Sequence, residues 1–130
     1  MSFFDKMFGN NDSKVTPSSR VKWNALTELQ QLDTIVDESA SIPVLIFKHS
    51  TRCSISRMAL KGFERDYAIE EDAIKTYFLD LLAHRDISNE IASRFGVLHQ
   101  SPQILLIKNG EAVYHTSHSD IDAPAVKEKL

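Results

Sequence analysis

Apolar residues along this chain fall in short bursts, and their spacing alternates between helical and strand-like periods. Leu29, Leu32, Ile35 and Val36 recur at three- and four-residue intervals, which predicts a helix. Thr27 and Gln30 read as the capping box that opens it, and the stretch from Ser39 to Pro43 breaks it. The continuous run Val44-Leu45-Ile46-Phe47 predicts a buried strand. Ile55, Met58, Ala59, Gly62 and Phe63 then return to helical spacing, so a second helix is expected to pack on a sheet. Tyr77 to Leu82 predicts a second buried strand, and Ile87, Ile91, Ala92 and Phe95 a third helix closed by Gly96. Gln103 to Lys108 and Glu111 to His115 flank Asn109-Gly110, the dipeptide that favours a two-residue type I′ hairpin. A short helix from Asp122 to Leu130, with Val126 and Leu130 facing inward, closes the chain.

This order predicts an α/β domain: a mixed sheet of four strands, or five if a leading strand forms near Trp23, with helices on both faces. Strands separated by helices are expected to pair in parallel through right-handed crossovers, with the hairpin adding an antiparallel edge. Residues 1–20 fall outside the pattern. They combine an apolar patch (Phe3, Phe4, Met7 and Phe8) with the linker-like GNNDSKVTPSSR, and are expected to be a tail preceding one domain over residues 21–130.

Bulk properties narrow the function classes. A net charge of −3 with no basic tract argues against nucleic acid as the main partner. No apolar stretch approaches a membrane span. The N-terminal string lacks the apolar core and cleavage pattern of a secretory signal, so a reducing cytoplasm is the expected location. With a single cysteine, no internal disulfide can support the fold.

That cysteine, Cys53, follows the first strand run and opens the second helix run, in the string KHSTRCSIS. A helix N-terminus offers unpaired backbone N–H groups and the positive end of the macrodipole, and both favour a thiolate. Lys48, His49 and Arg52 lie nearby in sequence and push the same way. Three residues on, where a dithiol redox protein carries its partner thiol, stands Ser56, whose hydroxyl is placed to donate to the sulfur. The alternative is a small buried hydrophobe, which many intracellular cysteines are, but such a residue belongs inside an apolar run rather than at a strand-to-helix turn. His115 and His118 have a spacing seen in metal sites. Without a third ligand nearby they read as a solvated loop pair, and no metal is expected. Lys61, Arg65 and Glu70-Glu71-Asp72 read as a solvated face.

The segment FGVLHQSPQILLIKNGE resembles the part of thioredoxins that runs from a helix, through a proline loop, into the hairpin. In thioredoxins that proline is cis, and the residue before it offers its backbone to an extended substrate; here those residues are Pro102 and Ser101. Cys53 precedes Pro102 by 49 residues, close to the thioredoxin separation, with one extra residue between Gly96 and Pro102. Taken together, FKHS, TRCSIS, MAL, WNALTELQQLD and HQSPQ resemble the monothiol bacilliredoxins, the YtxJ-like family of the bacillithiol system, over roughly residues 21–130.

The resemblance implies a thiol–disulfide oxidoreductase of the CxxS type, in which Cys53 removes bacillithiol from protein mixed disulfides. It implies no bound cofactor, with bacillithiol itself as thiol co-substrate. The implied partners are bacillithiolated proteins, bacillithiol, and another redoxin or a bacillithiol disulfide reductase for regeneration. Ser54, Ser56 and Arg52 become supporting residues, and Ser101, Pro102, His49 and His99 substrate contacts in two loops expected to meet at the site. Lys48, His49 and Arg52 are candidate contacts for the malate carboxylates of bacillithiol. Phe47 stands where dithiol thioredoxins carry a buried acid, which a protein without a resolving thiol does not need. Three other readings stay open: a cluster-carrying monothiol glutaredoxin, disfavoured by Ser54 and Ile55 where such proteins have Gly and Phe; a one-cysteine peroxidase, disfavoured by Ile46 at its proline position; and a thioredoxin-like adaptor or redox-sensing domain.

Overall fold

The computed structural model describes residues 21–130, so the expected tail and its Phe3, Phe4, Met7 and Phe8 lie outside the described residues. Five strands, β1 (Asn24–Ala25), β2 (Val44–His49), β3 (Lys75–Asp80), β4 (Gln103–Lys108) and β5 (Glu111–Ser117), form one sheet in the order β1-β3-β2-β4-β5. The leading strand near Trp23 therefore exists. Among the described residues four α-helices cover the sheet: α1 (Gln31–Glu38), α2 (Ser54–Arg65), α3 (Arg85–Phe95) and α4 (Ala123–Glu128). No helix among the described residues is long and apolar enough to cross a membrane.

The alternation of side chains along β2 and β4 divides the core in two. Val44, Ile46, Leu105 and Ile107 face α1 and α3, where they meet Leu32, Ile35, Ile87 and Ile91. Leu45, Phe47, Ile104 and Leu106 face α2 and α4, against Phe63, Ala123 and Val126. Every residue of β2 is buried, which explains why its apolar stretch is unbroken rather than alternating.

β1 and β2 both run parallel to β3, as expected, but β4 departs from the crossover expectation. It pairs with β2, not β3, and runs antiparallel to it, with Gln103 opposite Lys48. The cause is the length of the connection. Segment 96–102 can span up to about 23 Å, enough to bring the chain back along the roughly 16 Å of α3. β4 consequently begins at the end of the sheet where β2 finishes. The hairpin forms as expected, with Asn109 at φ 51° and Gly110 at φ 78°, the two positive values of a type I′ turn. Gly96 closes α3 at φ 65°.

Several boundaries differ for local reasons. The capping box at Thr27 and Gln30 does not form; α1 starts at Gln31, whose side-chain oxygen accepts from the Thr27 and Glu28 backbone N–H groups at 2.7 and 2.9 Å. Within its stripe Leu32 and Ile35 are buried, while Leu29 is exposed. β2 extends through Lys48 and His49. β3 begins two residues earlier than the apolar run, at Lys75, which pairs with Val44 of β2 and whose ammonium bonds to Glu38, while Leu81 fills the core from the following turn. In α2 the stripe is rotated. Ser56 and Phe63 face inward, whereas Ile55 and Met58 are 54% and 73% exposed. Leu130 lies beyond α4 and is partly exposed; only Val126 of the expected pair is buried.

Candidate functional site

β2 ends and β4 begins at the same edge of the sheet, so the turn 50–53 and the loop 97–102 lie at one end of the domain. Cys53 is the N-cap of α2, with extended backbone (φ −106°, ψ 121°), and is partly exposed. Its carbonyl accepts the first helical bond from Arg57 N–H at 3.1 Å, and its own N–H donates to Ser50 O at 3.2 Å. The turn is thereby fixed, and the thiol itself makes no capping hydrogen bond. Ser54, at the first helical position, is exposed, as is Arg52. At the opposing loop the Ser101–Pro102 peptide bond is cis, as the resemblance implied. The Gln103 side chain ties that loop down, accepting from Gln100 N–H at 3.3 Å and donating to Leu98 O at 3.0 Å. His118 N–H donates to Pro102 O at 3.0 Å, joining the loop to the end of β5.

Ser56 does not serve the sulfur as expected. Fully buried, it accepts from Ser50 N–H at 3.0 Å and lies 2.7 Å from His49 Nδ1. Burial holds the His49 imidazole below its usual pKa, with the Asp80 charge opposing and Arg57 assisting. Ser56 Oγ and His49 Nδ1 share this hydrogen bond, and its direction is set by the ring's tautomer. Ser56 acts as a strut between β2 and α2.

Lys48 is not beside Cys53 either. Alternation turns it to the α3 face, where it is fully buried and its ammonium lies 2.8 Å from His99 Nδ1. Ser88 Oγ is 3.3 Å from the same nitrogen. His49 and His99, expected to meet at the site, are thus held on opposite faces of the sheet. Lys48 instead anchors the loop that carries Ser101 and Pro102. Sequence reading missed Ser88 and Gln103. The available signal was a polar residue next to a buried apolar run, at Lys48 and again at Gln103.

Burial brings the Lys48 ammonium down to about 8 from 10.5. It also holds His99 below its usual value, assisted by the charges of Lys48 and Arg85. A base held below its ordinary pKa binds fewer protons in the folded chain than in the unfolded one, so stability rises with pH between the two values. For Lys48 the rise falls between about 8 and 10.5. It should amount to about 2 kcal/mol once solvent screening is allowed for. Burial raises the phenols of Tyr67, Tyr77 and Tyr114, which oppose the rise at its alkaline end. The histidines act in the same sense as Lys48 at lower pH, with stability falling as pH drops through 6.5. Urea unfolding from about pH 7 to about pH 10 should show the alkaline gain in the wild type and no gain, with a small fall from the tyrosines at the alkaline end, in Lys48→Met. A gain of equal size in the variant would assign it to other groups.

Two depressions flank the start of α2 and share Met58. One, of about 550 Å³, runs between Ile55, Ala59, Gly62 and Arg65 of α2, with Asp66 after it, and His118, Ile121 and Asp122, so its walls carry both apolar and charged groups. The other, of about 430 Å³, is lined by His49, Ser54, Arg57, Met58, Leu60 and Lys61. Among the described residues no three His, Cys, Asp or Glu side chains are grouped to hold a metal ion, and His115 and His118 form no such site.

The family described as monothiol bacilliredoxin BrxC matches the chain over residues 24–126. Among solved structures, a candidate oxidoreductase with a thioredoxin fold is similar at 31% identity and a TM-score of 0.68, covering 80% of this chain and 89% of that one. Thioredoxin from Malassezia sympodialis is 19% identical with a TM-score of 0.63, covering 85% of this chain and 90% of its own. Thioredoxin from Trypanosoma brucei brucei is also 19% identical, with a TM-score of 0.62 and coverage of 90% and 95%. These last two similarities establish the fold alone.

Proposed function

The chain belongs to the monothiol bacilliredoxin family, and from that premise we propose that Cys53 removes bacillithiol from protein mixed disulfides. The observation that carries this reading is a lone, partly exposed thiol at the N-cap of a twelve-residue helix, with a buried serine where a resolving thiol would stand. The Cys53 thiolate attacks the bacillithiol sulfur of the mixed disulfide. A new disulfide forms between Cys53 and bacillithiol, the old one breaks, and the protein thiolate leaves with the electron pair. The first-turn N–H groups of α2 stabilise thiolate character at Cys53 in the attack and again at its release. A second thiolate, from bacillithiol or a partner redoxin, then attacks the bacillithiol sulfur and frees Cys53. Ser56 cannot perform that step, so turnover depends on an external thiol. The reaction belongs to a reducing compartment, the cytoplasm.

The test is stoichiometric. Without added thiol, one equivalent of enzyme should release at most one equivalent of client thiol; added bacillithiol should restore multiple turnovers. Repeated turnover without external thiol would rule out the scheme.

Ser56→Ala supplies a separate check. The variant should remain active but slower, because the thiol and helix stay while the strut is lost. Leaving Ser50 N–H and His49 Nδ1 buried without their partner should lower stability by about 1–3 kcal/mol. A folded but inactive Ser56→Ala protein would mean that the hydroxyl takes part in the chemistry.

A further inference from the structure

The cleft of about 430 Å³ beside Ser54 is large enough for a small ligand. Arg57 and Lys61 stand one turn apart on its α2 wall and supply two exposed cations. Arg57 Nη1 is pinned to Thr51 O at 3.0 Å, which orients the guanidinium and leaves its other N–H groups available. The third element is His49, a wall residue only 4% exposed. Its Nδ1 is taken by Ser56, and its Nε2 has no partner among the described residues. A buried polar nitrogen left unpaired is costly and calls for a partner. Asp80 and Glu64 also act on His49 through their charge, and each accepts one hydrogen bond elsewhere, Glu64 from Trp23 Nε1 at 2.7 Å and Asp80 from Leu82 N–H at 3.2 Å. Two cations, the Ser54 hydroxyl and the unpaired ring nitrogen of His49 suit a ligand that carries negative charge and forms hydrogen bonds, as a carboxylate or carboxylic acid does.

We propose that the cleft of His49, Ser54, Arg57 and Lys61 binds the carboxylate end of the small thiol, holding that half of the mixed disulfide so that its sulfur faces Cys53. The proposal rests on the transfer reaction above and adds what selects the sulfur that is attacked. The protein half of the disulfide then lies toward the groove of Ile55, Ala59 and Ile121 on the other side of Met58. Malate carboxylates of bacillithiol meet the requirement, and so do those of any other acidic low-molecular-weight thiol.

The experiment compares one client protein carrying either bacillithiol or uncharged 2-mercaptoethanol in mixed disulfide. Its readout is the ratio of the two rates of client release by the full chain. Arg57→Glu/Lys61→Glu should lower that ratio by about tenfold or more. Lys61→Glu alone, an exposed substitution that spares the Arg57 contact, should lower it about threefold. High salt should narrow the wild-type ratio toward that of the double variant. A matched reversal at the end of α4, Lys127→Glu/Lys129→Glu, should leave the ratio in place. An unchanged ratio in the first variant, or an equal fall in the α4 control, overturns the proposal. A glutathione adduct tests the class: if glutathione follows bacillithiol, the cleft reads carboxylate; if it follows 2-mercaptoethanol while the charge reversals still act, the cleft reads bacillithiol's own arrangement of carboxylates. Failure of the underlying reaction looks different, since the wild type would then release no client thiol from the bacillithiol adduct.

Discussion

Replacing Cys53 with alanine should abolish transfer, lowering the rate of client release by at least about a thousandfold. The magnitude follows from the absence of any substitute nucleophile, since the chain has one cysteine. Hydroxyls near it cannot take over. Ser56 is fully buried and hydrogen-bonded to His49 and Ser50, and Ser54 is an unactivated alcohol on the helix. The fold should survive, because the thiol makes no capping bond and the turn is fixed by the backbone bonds of Cys53 with Ser50 and Arg57. Single-turnover release, followed by alkylating the freed client thiol, measures the effect. Residual activity within about tenfold of the wild type in Cys53→Ala would place the chemistry elsewhere.

The largest effect on stability is expected at Phe47. Its ring is fully buried beneath α2 and meets Trp23 and Phe63 at centroid distances of 5.7 and 5.8 Å and Phe78 at 6.3 Å. Phe47→Ala removes a large apolar surface from a site where β2 and β4 cannot collapse inward, since both are buried and paired. The expected loss is about 4 kcal/mol by urea unfolding. Phe47→Asp, which places a carboxyl where dithiol thioredoxins carry one, should cost at least as much. It adds desolvation of an acid to the lost packing. Exchange by the fraction that remains folded should be preserved in Phe47→Ala, because Cys53 is held by local backbone bonds. A loss below about 1 kcal/mol would show that this core relaxes around the missing ring.

Much of this architecture is legible from patterning, and the exceptions have a common cause. The hairpin at Asn109-Gly110 and the Gly96 stop follow from backbone rules that act within a few residues. The burial of β2 follows from its unbroken apolar stretch. What patterning misplaces are residues whose environment is set by distant partners. Ile55 and Met58 have helical spacing yet face outward, because Ser56, a polar residue, takes the inward position through bonds to His49 and Ser50. Lys48 reads as a cation beside the thiol, yet strand alternation sends it to the other face, where His99 receives it. The antiparallel placement of β4 depends on how far segment 96–102 reaches, which periodicity does not encode. The position of Cys53 at a strand-to-helix turn was readable locally, whereas the basic cleft with Arg57 and Lys61 on its wall became visible only when α2 was placed against His49.

The central claim is that Cys53 itself receives bacillithiol. The most direct measurement is the intact mass of the reduced full chain after mixing with an equimolar bacillithiolated protein. The account predicts a gain of one bacillithiol, located on Cys53 by peptide mapping, matched by its loss from the client and reversed by added thiol. If free bacillithiol is released while Cys53 carries the client polypeptide, the wrong sulfur has been named. If neither protein changes mass while Cys53 still reacts with a small alkylating agent, the transfer reaction is contradicted.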